Sequence, residues 1–230
     1  MITQQLYEIM SQTINCRYCW NSDFILKEPF VPPRGWAGGT DRNKVKLVVV
    51  TLNPGHPMES EIKQFSKVSM NDKLGQYEID YLYNFATDTF TNPQIRGNGR
   101  DTVFHSKMKN YMVEALVYCG LVDRKEAFNN WLDYVWLTDL FKCSTESETG
   151  PNIPLNNRIH CQKHLLQEIN YFNPKAIIAM HSKARDDLSK ISSIKNKLVY
   201  FRHPSNGGPT VNSPTFKQQL DKLKSIIDRQ

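Results

Sequence analysis

The stretch Val45-Lys46-Leu47-Val48-Val49-Val50-Thr51-Leu52-Asn53-Pro54-Gly55 decides the fold class. Its apolar, β-branched run is short and ends at a turn that Pro54 and Gly55 make rigid, the pattern of a strand buried on both faces. Such strands belong to parallel sheets whose two sides are covered by helices. Residues 134–140, 176–180 and 198–201 repeat the pattern. Between them, apolar residues recur three or four apart over 107–118 and 157–171, and Pro214 opens a terminal helix over 215–227. The sequence therefore predicts an α/β fold, a three-layer α/β/α sandwich around a mainly parallel sheet of about four strands, with residues 1–230 in one domain. Segments 27–41, 91–101 and 144–156, rich in Pro, Gly, Asn or Ser, read as ordered loops.

The chain of 230 residues carries 29 Lys and Arg against 23 Asp and Glu, a formal charge of +6 that suits a polyanionic partner without requiring one. No run approaches the roughly 20 apolar residues of a membrane helix, and the N-terminus lacks the pattern of a secretory leader. A soluble, cytoplasmic monomer with no membrane partner is expected. In a reducing compartment, an odd set of five cysteines with a Cys16-Arg17-Tyr18-Cys19 pair points to metal or redox chemistry rather than disulfides.

In α/β sheets ligands bind beyond the carboxyl ends of the strands, so the residues leaving each strand carry the functional reading. Asn53 follows the first strand on the Pro54-Gly55 turn. Asp139 ends the second, and Arg202-His203-Pro204-Ser205-Asn206-Gly207-Gly208 follows the last. Ser205 and the glycine backbone suit a phosphate. Each residue also has a plainer reading: an Asx turn for Asn53, a surface or capping histidine for His203, and a helix cap or an ion pair with Lys142 for Asp139. Cys143, just past the second strand, and Cys161, in the next helix, can join Cys16 and Cys19 as four thiolates, the ligand set of an iron–sulfur cubane or a structural zinc. Cys119 reads as a buried apolar thiol.

Taken in order, these features resemble the uracil-DNA glycosylase superfamily, and the cysteine layout resembles its iron–sulfur family 4 branch. The matches are Cys16 and Cys19, Pro54-Gly55, Lys142-Cys143 with Cys161, and His203-Pro204-Ser205. Two departures are informative. Leu52-Asn53-Pro54-Gly55 resembles the Asn-Pro-Gly turn of the mismatch-specific and thymine-type branch rather than the family's Glu-Ala-Pro-Gly, and the Asn that reads uracil before the third cysteine is Asp139. A third difference is Met180-His181 where Leu-Gly is usual.

The resemblance implies a DNA glycosylase with a 4Fe-4S cluster on Cys16, Cys19, Cys143 and Cys161, a structural zinc being the alternative. Asn53 and His203 are the implied catalytic residues; Asp139, Pro54, Gly55 and Ser205 are the implied substrate contacts. An amide meets both the N3 donor and the O4 acceptor of uracil, whereas a carboxylate faces O4 with like partial charge. A carboxylate matches the cytosine N4 amino group in part, and a protonated carboxyl matches N4 and N3 together. Asp139 therefore points to a cytosine derivative, such as the hydroxymethylated or glucosylated bases of some phage genomes, and to a defence role. The alternatives are a uracil-DNA glycosylase of base-excision repair and a noncatalytic nucleic-acid-binding relative. Phe30, Trp36 and Phe65 are the candidates for stacking on an extruded base.

Overall fold

A computed structural model describes residues 2–92, 94, 100–146, 153–204 and 208–230, with the side chains of 100–102 left out of the description. Five strands form one sheet: β1 (Trp36–Gly38), β2 (Leu47–Thr51), β3 (Val135–Asp139), β4 (Ala176–Ala179) and β5 (Leu198–Tyr200). Their order is β1-β3-β2-β4-β5. The pairs β3·β2, β2·β4 and β4·β5 are parallel, and β1 runs antiparallel along β3 with Trp36 opposite Thr138.

The four runs read as strands form β2 to β5, with β2 and β3 trimmed at both ends and β4 and β5 at their carboxyl ends. The fifth strand, β1, lies inside the segment read as a loop. Its three residues, ending in a glycine at φ +114°, carry no alternation of their own. Pairing with the edge of β3 makes them a strand, and propensity does not.

The pleat of the strands sends alternate side chains to two apolar cores. Val48, Val50, Trp136, Ile177 and Ala179 pack with α1 (Gln4–Ile14), α6 (Leu155–Phe172) and α7 (Ser182–Leu188), joined by residues of α2 (Glu59–Phe65) and α3 (Gln76–Thr91). Leu47, Val49, Val135, Leu137, Ile178 and Val199 pack with α4 (Arg100–Tyr118), α5 (Arg124–Asn130) and α8 (Pro214–Ile227). The chain is thus α/β with a mostly parallel central sheet between helical layers. Among the described residues no helix is long and apolar enough to cross a membrane.

Beneath the β3 end lies a buried polar network. Glu168 of α6 takes a salt bridge from Lys142 at 2.7 Å, hydrogen bonds from the indoles of Trp36 (3.2 Å) and Trp136 (2.8 Å), and one from Thr138 Oγ1 (2.6 Å). Lys142 also donates to Thr138 Oγ1. With side-chain exposures of 1% and 0%, this ion pair is isolated from solvent, and the partners on every side are what make two buried charges tolerable. Lys142 is thereby committed to Glu168, so the plain reading of Asp139 as its ion-pair partner does not hold.

Candidate active site and cysteine centre

The chain leaves β2 toward β3 on one side of the sheet and later returns to build β4 and β5 on the other. The strand order therefore reverses between β2 and β4, where an open sheet has its ligand crevice. Asn53 leaves β2, His181 leaves β4 and His203 follows β5. Asn53 and His203 thus follow the carboxyl ends of two parallel strands that have β4 between them.

The Asn53 turn is held by a residue the sequence reading passed over. Arg34, in the segment preceding β1, donates to the Gly55 carbonyl (3.1 Å) and to Ser144 Oγ (2.7 Å) and forms an ion pair with Glu61 at 2.7 Å. Ser144 Oγ also donates to the Gly55 carbonyl, at 3.1 Å. One buried guanidinium thus ties the loop after β2 to the loop after β3. Asn53 Nδ2 donates to Thr145 Oγ1 (3.2 Å) and to the Pro54 carbonyl (3.0 Å). Its Oδ1 makes no hydrogen bond among the described residues, which leaves an acceptor fixed in place. A Cβ added at Gly55 would meet nothing within 4 Å, so the space beside the turn is open to a ligand.

Asp139 closes β3 directly opposite Thr51 of β2, whose hydroxyl donates to Asp139 Oδ1. Gly35 presses on its other side: at φ +106°, a Cβ there would stand 2.2 Å from Asp139 Oδ2, so the position demands glycine. Burial pushes the Asp139 carboxyl up to about 6, against the opposing hydrogen bond from Thr51 and the positive charges of Lys142 and Arg34. Near neutral pH the group therefore lies close to its own titration.

The shift has a consequence for stability. The native state holds the Asp139 proton up to about pH 6 and the unfolded chain releases it near 3.8, so stability falls as pH rises across that window. Replacing Asp139 with Asn removes the buried charge and keeps an acceptor for Thr51. The variant is expected to be more stable than the parent at pH 8, by up to about 3 kcal/mol, with the gain vanishing below pH 4. Urea denaturation at the two pH values measures this, and an equal difference at both would show that the gain has another source.

His203 is half-buried and stacks on Phe104 of α4, ring centroids 5.0 Å apart at 15°. Burial, with a smaller contribution from His181, lowers it to about 4. At physiological pH it is neutral. His181 Nδ1 accepts the Lys183 backbone N–H at 3.1 Å and caps α7. Ser205 lies outside the described residues. Trp36 and Phe65 are each 1% exposed in the core, which removes them as stacking candidates, and Phe30 packs on Trp20 at 4.9 Å between centroids.

Of the four cysteines read as ligands, Cys19, Cys143 and Cys161 lie in one apolar cluster and Cys16 falls outside it. Cys161 donates a hydrogen bond to Cys19, drawing the Cys19 thiol down to about 7, and Asn157 Nδ2 donates to Cys19 Sγ at 3.2 Å. The charges of Cys19 and Cys16 both bear on Cys143, whose thiol burial pushes up. Cys19, Cys143 and Cys161 share one apolar cluster with Trp20, Ile25, Phe141 and Ile153, and Phe24 and Phe30 pack against it. Cys119 stands apart in the opposite core, pushed up to about 11 by burial. A chelating group that the reading missed adjoins Cys16: His160 and His164, one turn apart on α6, place ring nitrogens within 4.8 Å of its sulfur and of each other.

The sequence matches no protein-family model and no curated protein.

Proposed function

We propose that the chain is a DNA glycosylase of the uracil-DNA glycosylase type that removes a cytosine-derived base from DNA. The observation that carries the base assignment is Asp139, a carboxyl 6% exposed at the carboxyl end of β3, pushed up to about 6 by burial and flanked by Thr51 and Gly35. A carboxyl that is partly protonated near neutrality can accept from the N4 amino group of cytosine and donate to N3.

The extruded base leaves the DNA stack at a cost of a few kcal/mol, offset by phosphate and pocket contacts. As the glycosidic bond lengthens, positive charge builds on the sugar and negative charge on the base at O2. His203, neutral and aligned by Phe104, donates to O2. Asn53, anchored through Nδ2, uses Oδ1 to hold water under the sugar carbon; the cation is electrophilic enough that placement suffices. Pro54 and Gly55 form the open wall beside that water. The net charge of +6 and the glycine-rich stretch with Ser205 suit the phosphate backbone.

Cys16, Cys19, Cys143 and Cys161 are a donor set suited to a 4Fe-4S cluster and are proposed to hold it, with three of them in one apolar cluster and Cys16 half-buried. When bound, it supplies a structural cross-link rather than a chemical step. Cys16 and Cys19 follow α1, Cys143 lies past β3 and Cys161 is on α6, so the cluster would tie these three segments together.

The test is a panel of oligonucleotides, each carrying one base, scored for abasic sites with the parent and with Asp139→Asn. The parent is expected to release a modified cytosine, at a rate that falls as pH rises past about 6. The variant is expected to shift toward uracil by roughly 5- to 150-fold, the worth of one good base-edge contact of about 1 to 3 kcal/mol. Efficient uracil release by the parent, with no action on any modified cytosine, would assign the chain to uracil repair; binding without any abasic site would make it a noncatalytic relative.

A further inference from the structure

Cys16 faces two ligand sets. One is the cysteine group described above. The other lies on α6, where His160 and His164 are four residues apart and so share a helix face. Cys16 Sγ is 3.4 Å from His160 Nε2, and the two imidazole rings are 5.7 Å apart at 70°. A tetrahedral zinc ion, with bonds of about 2.0 Å to nitrogen and 2.3 Å to sulfur, holds such atoms roughly 3.3 to 3.6 Å apart. The Cys16–His160 pair is already at that spacing, and the set of three needs only a small closure.

Two further observations point to an ion. Both ring nitrogens of His164 are buried without a hydrogen-bond partner among the described residues, an arrangement that a folded protein normally avoids and that a metal bond would relieve at one of the two. His160 is held against Tyr18, the residue between the paired cysteines, by stacking at 3.9 Å and 3°. Cys16 itself is fixed at the end of α1, where the side chain of Asn15 both donates to the Leu74 carbonyl and accepts the Leu74 N–H, at 3.0 and 2.8 Å. These contacts preform the site on both elements.

We propose that Cys16, His160 and His164 bind a single divalent ion of the zinc type, with water in the fourth place, as an alternative to the four-cysteine centre. One thiolate and two imidazoles suit such an ion, and borderline metals accept both donors. Because Cys16 belongs to both sets, the chain has two metal states, and its zinc form is not a four-thiolate site.

The experiment uses the full chain produced in iron-depleted medium containing zinc, and in parallel containing cobalt, with metal content measured on the purified protein. One zinc per chain is expected in the parent and in Cys143→Ser, and its loss in the His160→Asn, His164→Asn double variant. Cobalt serves as a count of thiolates that needs no variant: its sulfur charge-transfer band should have the intensity of one thiolate. An intensity of four thiolates, zinc lost from Cys143→Ser but kept in the histidine variant, or no zinc in the parent would each overturn the proposal. None of these readouts depends on base excision, so the glycosylase reading stands or falls separately.

Discussion

Glu168→Ala is expected to lower the stability of the fold by about 3 to 5 kcal/mol, among the largest losses that any single substitution in this chain should produce. The change deletes the acceptor shared by Lys142, Thr138 and the indoles of Trp36 and Trp136. It leaves an ammonium with 1% side-chain exposure and no carboxylate to answer it. Lys142→Met should cost less, about 1 to 3 kcal/mol, because the carboxylate keeps its three remaining donors. Denaturant unfolding of the two variants measures the asymmetry, and neither loss should shrink in high salt, since screening does not reach a buried pair. A larger loss for Lys142→Met would mean that the lysine stem, rather than the charge on Glu168, organises this region.

The same network shows where sequence reading reaches its limit. β2 to β5 were legible because burial on both faces writes an unbroken apolar run into each strand. Lys142 and Glu168 were not, because a buried ion pair has no local signature: each residue alone resembles a surface charge, and only the packing of α6 against β3 brings them together. β1 was hidden for a related reason. Three residues that pair with a neighbour's edge carry no periodicity, and the glycine that matters most, Gly35, is needed because it passes within contact distance of Asp139.

The candidate site divides along the same line. The positions of Asn53, Asp139 and His203 were legible because each ends or closely follows a recognisable strand in a parallel sheet. Arg34, Thr51 and His181 were not, since their roles come from register and strand order: Thr51 faces Asp139 across a ladder, and His181 stands at the reversal between β2 and β4. The histidines beside Cys16 were visible as residues of the helix after Cys143. What could have drawn notice was their spacing of four on the helix that carries Cys161, the interval at which one helix offers two imidazoles to one ion.

On the proposed glycosylase reading, His203→Ala is expected to slow base release by about 10²- to 10³-fold, the typical effect of removing one donor from a developing oxyanion. The donor is a neutral imidazole, because burial lowers His203 to about 4, so between pH 6 and 9 its contribution should stay flat and show no inflection near 6.5. Asn53→Ala should cost about 10²-fold by misplacing the attacking water, while Asn53→Asp, which adds a carboxylate at the same point, should be at least as fast as the parent. In both alanine variants DNA binding should change little, since neither side chain is assigned to the phosphate backbone. Single-turnover release at saturating enzyme isolates the chemical step from binding. Parent-like rates in both would move the chemistry away from this edge of the sheet. Slow release in His203→Ala alone would leave the base-side contact in place and assign the water to a group other than Asn53.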